Sequence, residues 1–81
     1  MHAQLKRNGE VLCDLISSPE HPLPTQREDC WHDCTILTTE RVLIRPTDIL
    51  EIFTGRRALP FRVSHCRVGV SGWEVDGMVL L

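Results

Sequence analysis

Residues 44–70 read I-R-P-T-D-I-L-E-I-F-T-G-R-R-A-L-P-F-R-V-S-H-C-R-V-G-V. Two apolar runs of strand type, Ile49 to Phe53 and Leu59 to Val70, are separated by Thr54-Gly55 and the basic pair Arg56-Arg57. β-Branched and aromatic residues around a glycine turn predict a pair of strands. The second run changes phase. Phe61 and Val63 share one parity, whereas Cys66, Val68 and Val70 share the other. A period-two pattern changes parity only through a bulge or bend, which is expected near Ser64-His65. Ser71-Gly72 then turns the chain into a last strand, Trp73 to Leu81, where Asp76-Gly77 is a candidate for a break.

Working toward the N-terminus, residues 2–7 and 10–16 flank Asn8-Gly9. That dipeptide supplies the two positive-φ positions of a type I′ hairpin turn. On the second arm, Val11, Cys13 and Leu15 are expected on one face, with Leu12, Asp14 and Ile16 on the other. Residues 17–29, S-S-P-E-H-P-L-P-T-Q-R-E-D, hold three prolines and exclude regular structure. They predict a long, flexible surface loop. Asp33 to Thr38 reads as a strand. Glu40 to Arg45 reads either as its continuation or as one helical turn, ended by Pro46.

The chain has 81 residues, which bounds it to a single domain, 1–81. A chain of this size buries only about 60% of its unfolded surface, enough for one modest core. An apolar fraction of 42% favours a folded chain. The expected fold class is all-β: a small antiparallel β-sandwich or barrel-like domain with at most one short helical turn and a long proline-rich loop. Tyr is absent and there are two Phe and two Trp, which argues against aromatic platforms for single-stranded nucleic acid.

A formal charge of −2 conceals a split. Residues 1–40 carry Lys6, Arg7 and Arg27 against seven carboxylates. Residues 41–67 carry Arg41, Arg45, Arg56, Arg57, Arg62 and Arg67 against Asp48 and Glu51. Such asymmetry suits a charged partner, or self-association of an acidic face on a basic one. Solvated arginines on outer strand faces are the plainer reading. Gripping phosphates through Arg56-Arg57, Arg62 and Arg67 is a third.

Cys13, Cys30, Cys34 and Cys66 are the four cysteines. No apolar stretch follows Met1 and no run approaches the roughly 18 residues of a membrane helix. An internal, reducing compartment with free thiols is therefore expected, away from the membrane. Cys30, His32 and Cys34, joined by Cys66, are the residue types of a zinc site. On a strand, however, same-face neighbours stand about 6–7 Å apart, too far to share one ion. His65 and Cys66 point to opposite faces of a strand and cannot form a nucleophile–base pair. Asp48 and Glu51 fall on opposite parities, and no nucleotide, nucleophile-elbow or metalloprotease motif occurs. No enzyme activity, metal or cofactor is expected.

The order of elements resembles the small head–tail joining proteins of lambda-like tailed phages and prophages. Those proteins have a strand ending in F-D-x-P, a loop, an apolar strand ending in T-D, a short turn, G-D-x-L-x-I, a further turn, aromatic-x-V and a closing strand. Here Cys13 to Pro19, Ile36 to Glu40, Thr47 to Ile52 and Phe61 to Val63 stand at those places. Thr47 replaces the glycine, so the turn before Asp48 need not take a positive φ. The resemblance implies a structural virion protein, monomeric in solution, that assembles as a ring between portal and tail proteins. DNA would pass nearby without sequence-specific binding, and the protein would reside in the virion, or in host cytoplasm before assembly. The surfaces expected to carry contacts are Pro22, Leu23, Pro24 and Arg27 in the loop, with Arg41, Arg45, Arg56, Arg57, Arg62 and Arg67. The alternative is a small β-barrel adaptor that binds nucleic acid or protein through the arginine-rich face.

Overall fold

The computed structural model describes residues 3–18, 20, 33–55 and 57–80. Pro22, Leu23, Pro24, Arg27, Cys30, His32 and Arg56 lie outside the described residues, as does most of the loop expected over 17–29. Six strands form: β1 (Ala3–Arg7), β2 (Glu10–Ile16), β3 (Asp33–Thr38), β4 (Ile49–Phe53), β5 (Ala58–Val68) and β6 (Trp73–Val79). They close into an antiparallel barrel in the order β1-β2-β3-β6-β5-β4. There is no helix among the described residues. Closure pairs every strand on both sides and removes the open edges that would otherwise invite aggregation.

The Asn8-Gly9 turn has φ of 51° and 83°, as a type I′ turn requires. β5 bulges between Val63 and His65, so Ser64 is the extra residue opposite the pair Asp76 and Gly77. Leu59, Phe61 and Val63 therefore point inward before the bulge, and Cys66 regains the interior after it. β6 itself runs unbroken through Asp76-Gly77, because the irregularity belongs to the facing strand. Gly77 is small for a separate reason. A Cβ there would collide with the Arg62 carbonyl and the Phe61 ring, the largest fully buried side chain.

Three expectations are corrected. A second bulge, between Leu5/Lys6 and their partners Cys13/Val11, inserts Leu12 and turns Val11 outward, leaving it 51% exposed. Cys13 and Leu15 keep the inward face. Residues 40–45 form neither strand nor helix. Their carbonyls are already claimed: Trp73 Nε1–H donates to Val42 O at 2.9 Å and the Arg7 guanidinium donates to Leu43 O at 2.7 Å. Finally, Thr47 adopts φ 74°, a left-handed conformation that a β-branched residue rarely takes. Its N–H donates to Val63 O, the Val63 N–H donates to Asp48 O, and Asp48 Oδ2 accepts the Arg45 N–H at 2.9 Å. These bonds hold the turn against the local steric cost.

Strand alternation sorts the connections. Residues 8–9, 39–48 and 69–72 lie at one end of the barrel. The 54–57 turn lies at the other, where β2 ends and β3 begins. The interior is filled by apolar side chains including Leu5, Ile36, Leu50, Ile52, Phe61 and Val75. Among the described residues, the side chains open to other molecules therefore lie on the outer wall and at the two ends.

Candidate interaction surface

Alternation along β4, β5 and β6 places a row of side chains across the outer wall. Ile49 pairs with Arg62, and Arg62 pairs with Met78. Ile49 is 60% exposed and Met78 38%. One step along, Glu51 stands opposite Pro60, and Phe53 opposite Ala58. Lys6 covers the Phe53 ring, with its Nζ 3.9 Å from the ring centre. Burying apolar surface beside a cation is favourable only against a partner that supplies both apolar contact and negative charge. Arg62 makes no ion pair among the described residues.

The other arginines are dispersed. Arg57 is exposed in the 54–57 turn, where its carbonyl accepts the Thr54 N–H. Arg41 and Arg45 are exposed at the opposite end of the barrel, in the 39–48 strap. Arg41 lies over the Trp73 ring at 5.7 Å. Arg67 is committed within the chain. Its guanidinium bonds Asp76 through both nitrogens and reaches Glu74 Oε2 at 3.3 Å. Burial pushes the Asp76 carboxyl up, but the hydrogen bonds from Arg67 and from Thr35 Oγ1, the latter at 2.6 Å, outweigh it and hold Asp76 below the usual carboxylate range. The same partnership raises the Arg67 guanidinium above its ordinary value. Among the described residues the arginines therefore do not converge on one phosphate-sized site.

Sequence parity alone would have found Ile49. In I-L-E-I-F only Glu51 is polar, so both faces of β4 carry apolar residues. The pairing of Arg67 carries no such sequence signal, because it depends on the register that sets Arg67 opposite Glu74.

Two of the described thiols, Cys13 and Cys66, are poorly disposed to chemistry. Cys13 is buried, and its thiol is pushed up to about 11 by burial and then by the Glu40 charge. Burial likewise raises Cys66, with smaller pushes from Asp48 and Asp76. A thiol held protonated is a weak nucleophile and a weak metal ligand. No group of three or more His, Cys, Asp or Glu side chains poised for a metal ion occurs among the described residues. His65 pairs with Asp76 across the outer wall while Cys66 packs against the core, so the two neighbours diverge. An open groove lined by Asp33, Cys34, Thr35, Ser64, Arg67 and Asp76 runs over the outside of β3, β6 and β5. Its charges are largely satisfied by one another.

Comparison with protein families, curated proteins and solved structures finds no match for the chain.

Proposed function

We propose that this protein is a non-catalytic virion component that joins phage head to tail, assembling as a ring with portal and tail proteins. The observation that carries the reading is the left-handed backbone at Thr47. Proteins of the resembling family have glycine there, and glycine is the residue suited to such a φ. A turn with a φ suited to glycine but occupied by Thr is what a divergent relative of that family would carry. The filled barrel and its exposed Ile49–Arg62–Met78 row also support a role through surface contact, with chemistry absent from the account. Raised thiols at Cys13 and Cys66 favour the same non-enzymatic role.

The nucleic-acid adaptor reading draws less support. Arg67 is occupied by Asp76 and Glu74, and Arg41 and Arg45 stand at the end of the barrel away from Arg57. Genes adjoining the one for this chain test the proposal. Portal, capsid and tail genes are expected; a neighbourhood of metabolic genes alone would contradict it.

A further inference from the structure

Residues 40–46 cross one end of the barrel between two anchored points. Before them, the Thr39 N–H donates to Asp14 O at 3.1 Å and the Thr38 hydroxyl donates to Glu40 O. After them, the Thr47 N–H donates to Val63 O and the Val63 N–H to Asp48 O, both at 2.8 Å. Between these points, no main-chain hydrogen bond joins the strap to the barrel among the described residues. Its own main-chain bonds are local, from the Val42 N–H to Glu40 O and from the Asp48 N–H to Arg45 O.

Side chains hold the strap down instead. From β1, the Arg7 guanidinium donates to Leu43 O at 2.7 Å and to Asp48 Oδ2 at 2.9 Å. The same carboxylate oxygen accepts the Arg45 N–H. From β6, the Trp73 Nε1–H donates to Val42 O at 2.9 Å, and Arg41 lies over the Trp73 ring. On its inner side Ile44 is buried and Val42 packs half-buried against the core. On its outer side Arg41, Leu43 and Arg45 are exposed. The Arg7 and Asp48 side chains are 31% and 30% exposed, so water can take up both when they part. A strand leaves a closed sheet only by breaking ladders on both sides. A segment held by a few side chains can leave while the ladders stay intact.

From this arrangement we infer that residues 40–46 open as a unit from a barrel that stays closed, with Arg7 as the latch. Latched, the strap fixes Arg41, Leu43 and Arg45 at the barrel end. Unlatched, it frees the three together and uncovers the seats of Val42 and Ile44. A partner that takes these side chains in another arrangement draws the strap open by its differential affinity for the open state. The inference goes beyond the joining role and does not depend on it.

Hydrogen exchange of the full chain, followed by NMR in low urea, tests the latch. The probes are the Trp73 Nε1–H and the Arg45 N–H, with the slowest amides of β4 and β5 as the reference. Trp31→Phe leaves one indole and so assigns the Trp73 signal. The strap probes are expected to be protected, yet to exchange at least about a hundredfold faster than the reference amides. Their exchange should be nearly independent of urea, because little surface is exposed on opening. Arg7→Ala should speed the strap probes at least about tenfold. Arg7→Lys, which keeps the charge without the planar fork, should speed them less. Val79 is 1% exposed and pairs with Phe61 toward the far end of the barrel. Val79→Ala should speed the reference amides at least about tenfold and leave the strap probes within about twofold. Strap probes that follow the reference amides in urea and in Val79→Ala would show that the strap opens only with the whole barrel, and overturn the inference. So would an unprotected Trp73 indole, or strap probes indifferent to Arg7→Ala.

Discussion

The hydroxyl of Thr38 accepts the backbone N–H of Trp73 at 2.7 Å and donates to the Glu40 carbonyl at 2.8 Å. One side chain, 1% exposed, therefore ties the end of β3 to the start of β6 and to the strap that follows. Removing it while keeping the shape leaves the Trp73 N–H without its partner. Thr38→Val is expected to cost about 1–2 kcal/mol, read from urea unfolding. Thr38→Ser, which keeps the hydroxyl, should cost less.

Thr47 supplies the opposite kind of test. Its φ of 74° carries a steric cost of about 1–2 kcal/mol for a residue with a Cβ. Glycine relieves that cost but brings about 0.5–1 kcal/mol of extra unfolded-chain entropy. Thr47→Gly is therefore expected to stabilise the fold by roughly 0.5–1 kcal/mol, seen as a higher thermal midpoint. A lower midpoint would show that the Thr47 side chain makes a compensating interaction.

At Gly77 the space is closed by backbone as well as by side chain. Gly77→Ala should destabilise by about 3 kcal/mol, the upper part of the range for overpacking. Phe61→Leu in the same chain should recover only part of the loss, since the Arg62 carbonyl still obstructs the new methyl group. Full recovery would assign the obstruction to the ring alone.

Cys13 predicts a loss of stability in alkali. Its thiol titrates near 9 when unfolded and at about 11 in the fold, because burial and Glu40 favour the neutral form. Above the lower value the unfolded chain releases a proton that the folded chain retains, so stability falls as pH rises. The contribution is complete below about pH 9 and is lost on the way to pH 11. Cys13→Val should remove this part of the pH dependence. Cys13 should also react with thiol reagents far more slowly than the unfolded chain at pH 8.

Much of the barrel is legible in sequence because its signals are local. Asn8-Gly9 fixes the first turn, and the phase change around Ser64 marks the bulge in β5. The outward turn of Val11 is not legible in the sequence because the insertion of Leu12 is not signalled by a change in hydrophobicity; apolar residues continue through it. The strap was ambiguous for a related reason. Val42, Leu43 and Ile44 suit a strand or a helix, and the choice is made by distant donors, Trp73 and Arg7. At the candidate surface, the arginines were visible as residues but not as partners. Only the register of β5 on β6 shows that Arg67 is held while Arg62 has no ion-pair partner among the described residues.

The central proposal, that the protein joins head to tail, is tested most directly by deleting its gene from the genome that carries it and examining any phage particles produced by electron microscopy. The account predicts separate heads and tails, with complete particles recovered when the purified chain is added back. Normal, tailed and infectious particles in the absence of the chain would contradict it.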